Sequence, residues 1–237
     1  MRKVLITGVS SGLGRALAER ILERGDQLFA LGRREPAELS REPGFLFLPV
    51  DLSDPEMIPE AIREFIDRHT FDLVILNAGR IEPLKLLSDT SLSELRGLME
   101  INLWANKQII DTLDLHATVR QVVAVSSGAA VNGSKGWGGY ALSKAALTML
   151  IKLYAAEKPW IHFSAIAPGV VKTPMLETIL RHGDAERYPS LQKILDGPIL
   201  PPEVAAKRFL EACQRALEHS SGSFLDVRSL PEKKIPL

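Results

Sequence analysis

The chain has 237 residues, 46% of them hydrophobic, and its 29 basic side chains are matched by 29 acidic ones. That length suits one large α/β domain or two small ones. The zero formal charge argues against nucleic acid as the main partner, because neutralising phosphates needs an excess of Lys and Arg. A single cysteine, Cys213, can close no intrachain disulfide and leaves no cysteine pair for a zinc site, which points to a reducing compartment. Before Thr7 and Gly8 stand only Val4, Leu5 and Ile6 as an apolar run, too short for a signal-peptide core. No later run approaches a membrane span, so a cytoplasmic protein without a membrane partner is expected.

Short apolar runs rich in β-branched residues occur at 3–7, 27–31, 45–50, 71–76, 121–125, 161–167 and 223–227. Between them lie stretches of helical period: Leu13, Leu17 and Ile21 with Ala18 and Leu22 trace one helix face, and Met57, Ala61, Ile62, Phe65 and Ile66 another. Strands apolar on both faces that alternate with helices imply a parallel sheet covered on both sides, a three-layer α/β fold. Seven strands fill the chain, so a single domain over 1–237 is expected. The stretch 172–201 contains Pro174, Pro189, Pro198 and Pro201 and no strand pattern, and reads as an insertion or lid.

The first strand ends in Thr7-Gly8-Val9-Ser10-Ser11-Gly12-Leu13-Gly14 and an amphipathic helix follows at once. Strand, glycine turn and helix N-terminus together offer backbone N–H groups and the positive end of a helix dipole to a pyrophosphate. Glycine is required where backbone must approach phosphate or where helix packs tightly on strand. The spacing is G-x3-G-x-G rather than G-x-G-x-x-G. In dinucleotide folds an acid after the second strand selects a ribose 2′-hydroxyl and an Arg accommodates a 2′-phosphate. Here the second strand exits into Gly32-Arg33-Arg34, with no carboxylate before Glu35. Arg33 beside Ser10 therefore favours NADP over NAD.

In Gly139-Tyr140-Ala141-Leu142-Ser143-Lys144, a phenol and an ammonium four residues apart share one helix face. The cation favours the phenolate, so a lowered Tyr140 pKa is expected. Ser126 and Ser127 close the preceding strand at the carboxyl edge of the sheet, where a hydroxyl can bond a substrate carbonyl.

With these motifs assembled, the chain resembles the short-chain dehydrogenase/reductase superfamily, single-domain branch, over essentially its whole length. The matching residues are Thr7-Gly8-x3-Gly12-x-Gly14, Asp51-Leu52, Asn77-Ala78-Gly79, Asn102, Ser127, Tyr140-x3-Lys144, Pro168-Gly169 and Thr173. The resemblance implies a Rossmann-type, doubly wound form of the sheet. It also implies a catalytic set in which Tyr140 is the general acid, Ser127 holds the carbonyl oxygen, Lys144 binds the nicotinamide ribose and lowers the Tyr140 pKa, and Asn102 helps hold a proton-relaying water. Asp51 and Leu52 would flank the adenine, Asn77 the adenosine ribose, and Thr173 with the backbone near Val171 the carboxamide. Homodimers or homotetramers through the helices containing Asn102 and Tyr140 are implied as well.

Segments 125–130, 136–140, 167–171 and 221–228 look most like sepiapterin reductase and the bacterial benzil reductases related to it. Trp137 and the apolar residues Met175, Leu176, Ile179, Leu180, Tyr188, Leu191, Ile194 and Leu195 suit a hydrophobic or aromatic ketone or 1,2-dicarbonyl, although several of them also read as one packed helix face. Asp226 falls where the resemblance puts a substrate-anchoring carboxylate, and equally reads as a cap on the last strand. The expected function is an NADPH-dependent carbonyl reductase. The alternatives are the same machinery oxidising a secondary alcohol, or a non-catalytic nucleotide sensor.

Overall fold

The computed structural model describes residues 1–230; residues 231–237, the end of the domain expected over 1–237, lie outside the described residues. The first strand, β1 (Lys3–Thr7), shows why the strands form. Val4 and Ile6 enter one apolar layer and Leu5 the opposite one, so an uninterrupted apolar run is satisfied on both faces. The remaining strands are β2 (Gln27–Gly32), β3 (Phe45–Pro49), β4 (Thr70–Phe71), β5 (Leu73–Leu76), β6 (Thr118–Val119), β7 (Gln121–Val125), β8 (His162–Ala167) and β9 (Ser223–Asp226). Seven of them form one sheet in the order β3-β2-β1-β5-β7-β8-β9, and every pairing is parallel.

The run expected at 71–76 is not one strand. Asp72 interrupts it: its carboxylate accepts from the Lys3 N–H at 2.9 Å and pairs with Arg120 at 3.0 Å. β4 is thereby diverted into a separate two-strand ladder with β6, pairing Thr70 with Thr118 and Phe71 with Val119.

The helices are α1 (Gly12–Glu23), α2 (Ile58–Ile66), α3 (Leu92–Met99), α4 (Ala105–His116), α5 (Gly138–Glu157), α6 (Pro174–His182), α7 (Pro189–Asp196) and α8 (Pro202–Ala216). On one face of the sheet α1 and α8 bring Leu17, Ile21, Phe209 and Leu210 onto Val4, Ile6 and Leu28. On the other, α2, α4 and α5 bring Ile62, Ile109 and Ile151 onto Leu5, Phe29 and Phe163. The result is a Rossmann-type three-layer α/β fold, as the alternation of strand and helix patterns implies. None of these helices is long and apolar enough to cross a membrane.

The segment 172–201 folds as α6 and α7. Its two ends are joined by a parallel bridge, with Lys172 N–H donating to Leu200 O and Leu200 N–H to Val170 O, each at 2.9 Å. From β1 the chain runs outward to β2 and β3, then returns to β5 on the other side of β1. The loops after β1 and β5 therefore diverge, and this topological switch point opens a crevice at the carboxyl ends of the strands.

Candidate active site

A cleft of about 870 Å³ occupies that crevice, lined by the residues that follow the strand ends. After β1 comes the glycine turn. Gly8 has φ +76°, a left-handed conformation that glycine adopts without steric cost. A Cβ on Gly14 would collide with the Gly8 carbonyl and the Asn77 amide, so only glycine closes the turn against the helix. Ser11 stands at the N-cap of α1 but its side chain makes no capping bond, and the first turn carries no acidic residue. Backbone donors and dipole are thus directed at the cleft without a competing side chain, which fits a pyrophosphate. Ser10, Ser11, Gly12 and Leu13 all line it, and Thr173 packs over Gly12, with its Cγ2 2.9 Å from where a Gly12 Cβ would be.

Asn77 after β5 braces the turn itself. Its amide donates to Thr7 O at 3.0 Å and Gly8 O at 2.9 Å, while the Asn77 and Ala78 N–H groups donate to the Thr7 hydroxyl. These bonds join β1's turn to β5's, and Asn77 itself lines the cleft.

Arg33 and Arg34, after β2, are exposed and line the cleft with Asp51 and Leu52 from the end of β3. Asp51 accepts from the Ser53 N–H at 2.9 Å and hydroxyl at 2.7 Å. These bonds, aided by the Arg33 charge, hold its carboxyl below the ordinary range. Gly79, Pro168, Gly169 and Val171 also line the cleft.

Of the catalytic candidates, Ser127, Tyr140 and Lys144 line the cleft, whereas Asn102 does not and stands behind Gly79. Asn102 is fully buried within a π-helical turn (100–104) between α3 and α4, a local widening that is common at functional sites. Its Oδ1 accepts from the Arg80 N–H at 2.8 Å, and its Nδ2 donates to Arg80 O and to the Ser143 hydroxyl, both at 2.9 Å. A Cβ on Gly79 would sit 3.0 Å from Asn102 Oδ1 and 3.5 Å from Lys144 Nζ, so the bare backbone of Gly79 lets the two approach.

Lys144 is 3% exposed and donates to Val125 O at 2.8 Å. Burial lowers its pKa to about 8. Its ammonium lies 5.8 Å from the centroid of the Tyr140 ring.

The expectation of a lowered Tyr140 pKa is corrected. Burial pushes the phenol above its ordinary value, and the hydrogen bond with the Ser127 hydroxyl only partly opposes this. Sequence reasoning weighed the lysine's charge but could not weigh the desolvation of the phenol.

The Trp137 indole N–H donates to the Ser190 hydroxyl on α7 at 2.8 Å. Met175, Leu176, Ile179 and Ile194 line the cleft. Tyr188 and Leu191, with Leu180 beside them, instead pack in a separate cluster with Leu84, and Leu195 is exposed. The apolar set read from the sequence thus divides between cleft wall and helix packing.

Asp226 follows the second of its two readings, accepting from the Arg228 N–H at the end of the last strand. It does not line the cleft; its carboxylate is bound by the side chain of Arg228, and Arg228 is the residue that does. Arg228, Asn132, Ser143 and Ser190 were not singled out in the sequence. An Arg two residues after an acid at the end of a strand was the available signal for the first of them.

Comparison with known proteins agrees with this geometry. The family model for short chain dehydrogenase matches residues 2–183. A benzil reductase ((S)-benzoin forming) of Bacillus cereus is 31% identical, covering 87% of this chain and 92% of its own. One from Saccharomyces cerevisiae is 30% identical over 96% and 97% of the two chains. The crystal structure of a short-chain dehydrogenase/reductase from Saccharomyces cerevisiae superposes with TM-score 0.81 over 97% of each chain at 21% identity. The chain belongs to the short chain dehydrogenase family, an oxidoreductase family that uses NAD(P) cofactors.

Proposed function

We propose that the protein is an NADPH-dependent carbonyl reductase acting on a hydrophobic or aromatic ketone or 1,2-dicarbonyl. The carrying observation is that Ser127, Tyr140 and Lys144 come together in a cleft whose wall also carries Met175, Leu176, Ile179 and Ile194, with Asn102 behind Gly79. The similarity to benzil reductases supports the substrate class. The glycine turn, Asp51, Leu52, Asn77, Ala78, Gly79, Pro168, Gly169, Val171 and Thr173 would hold the dinucleotide, and Arg33, Arg34 and Ser10 its 2′-phosphate. When bound, the reduced nicotinamide supplies a hydride to the carbonyl carbon.

In this reading the chain's own groups manage the oxygen. Tyr140, kept protonated by its burial, donates its proton to the developing alkoxide, and the Ser127 hydroxyl hydrogen-bonds the same atom. Lys144 makes the resulting phenolate less costly by its charge. Asn102 and Ser143 fix the start of α5, since the Ser143 hydroxyl also donates to Tyr140 O at 2.8 Å. Trp137, Met175 and the segment 172–201 would cover the substrate as a lid on a single domain spanning 1–237. A homodimer or homotetramer is part of the proposal, as is a cytoplasmic location, where Cys213 stays reduced.

The test is NADPH oxidation followed by absorbance with benzil, sepiapterin and a panel of simple ketones. Turnover is expected with at least one dicarbonyl, and Tyr140→Phe should lower it at least about 100-fold while NADPH still binds. No turnover with any carbonyl, or a Tyr140→Phe variant of near-normal rate, would overturn the assignment.

A further inference from the structure

β9 ends at the same carboxyl edge as the glycine turn, and the chain then bends over the loop that follows Ser127. Val227 N–H donates to Ala167 O and Ser229 N–H to Asp226 O, each at 3.0 Å, which fixes the bend. Within it Asp226 grips Arg228 by four contacts. The Arg228 Nε donates to Oδ1 at 2.9 Å and lies 3.1 Å from Oδ2, Nη2 donates to Oδ2 at 2.5 Å, and the Arg228 N–H donates to Oδ1 at 2.9 Å. The carboxylate side chain is only 16% exposed, whereas the arginine side chain is 52% exposed. Burial alone would raise the Asp226 pKa, but the arginine's hydrogen bonds and charge outweigh it and leave the carboxyl below its ordinary value. The acid is therefore a fixed base plate, and the guanidinium keeps Nη1 and one Nη2 N–H for another acceptor.

Arg228 lines the cleft beside the loop that follows Ser127. A Cβ built on Gly128 would be 3.1 Å from Arg228 Nη2 and 3.6 Å from Asn132 Nδ2. Gly169 supports the stem of the same side chain, with Arg228 Cγ 3.6 Å from its Cβ position. Gly128 follows Ser127 directly, so the guanidinium borders the loop that carries the Ser127 hydroxyl. Among the described residues lining the cleft the only carboxylate is Asp51, beside Arg33, so nothing acidic competes for Arg228 from within it.

We propose that Arg228 is a specificity-determining residue that binds a second oxygen on the carbon adjacent to the reacting carbonyl, with Asp226 as its positioning residue. The proposal rests on the carbonyl-reductase reading and narrows it: a ketone bearing a neighbouring carbonyl or carboxylate oxygen is preferred to a simple ketone. Planar N–H pairs suit such an acceptor, and a flexible lysine would hold it less well.

The experiment compares benzil with its monoketone counterpart, deoxybenzoin, in the wild type and in Arg228→Met, Arg228→Lys and Asp226→Asn, all with NADPH. The wild type should prefer benzil, and the preference in kcat/KM should shrink about 10-fold in Arg228→Met. Arg228→Lys should be intermediate, and Asp226→Asn should raise the benzil KM with little change in kcat. An unaltered preference in Arg228→Met and Arg228→Lys, or an Asp226→Asn effect on kcat alone, would overturn the proposal. Equilibrium dialysis of benzil onto the NADP-loaded proteins separates the two readings. If the wild type reduces neither ketone nor any other carbonyl of the panel, the reductase assignment fails. Benzil binding weakened in Arg228→Met would then still support the anchor, and binding that is absent or unweakened would overturn it.

Discussion

Lys144 carries a cost that its position makes measurable. The unfolded chain binds its proton up to a pKa near 10.5, the folded chain only up to about 8. Between these values the unfolded state holds a proton the folded state has released, so this group's contribution makes stability rise with pH across that window. Below pH 8 both states are protonated and the full penalty of the buried charge is present, roughly 3 kcal/mol from the size of the shift. Lys144→Met is therefore expected to unfold at higher urea than the wild type at pH 7, with the advantage shrinking as pH approaches 10.5. Equal midpoints at pH 7 would show that the charge is not penalised. Arg33 gives a second residue-scale test: exposed and directed at the cleft rim, it can discriminate cofactors only by charge. Arg33→Ala should weaken NADPH by about 10-fold or more and NADH little, measured by titration of the nucleotide. The Tyr–Lys spacing was legible because helix periodicity alone puts the two on one face. The grip of Asp226 on Arg228 was legible only as an acid and an Arg two residues apart at a strand end, because their closure depends on the bend after β9.

The middle scale shows where periodicity succeeds and where it stops. Strand cores at 3–7, 27–32 and 121–125 follow directly from apolar runs, whereas one charged residue, Asp72, splits another run because its carboxylate is held by Lys3 and Arg120. The π-helical turn at Asn102 was equally hidden, since a single widened turn barely alters the apolar pattern around it. Helix α5 carries a second message on its outer face. Leu142, Met149 and Leu153, spaced by seven and four residues, lie on one stripe, and each is about half exposed. This is the face through which the proposed homo-oligomer would form. Burying the exposed half of each would stabilise an interface by about 1 kcal/mol per side chain. The double variant Met149→Lys, Leu153→Lys should then weaken association at least about 100-fold, read by light scattering across a dilution series. A wild type that is monomeric at micromolar concentration would remove the proposal.

Across the whole molecule, the two apolar layers meet through a sheet that no helix interrupts, so the body should open as a unit. Cys213 reports on this. It lies on α8, is 2% exposed, and its thiol pKa is pushed up by burial. Thiol reagents should label it at least about 1000-fold more slowly in the native protein than in urea, tracking the unfolded fraction. Rapid native labelling would instead show that α8 detaches by itself. The parallel order of the sheet was accessible from its strand pattern, but the course of 172–201 was not, because its two helices bury their apolar residues partly against each other and Leu84. The bridge between Val171 and Leu200 gives that excursion an evolutionary character. Its entry and exit are hydrogen-bonded neighbours, so the intervening chain leaves and rejoins the body at one point. Beyond Thr173, which packs on the glycine turn, such a cassette can be lengthened or shortened with the sheet left in register, so the substrate wall can change while the cofactor cradle keeps its residues.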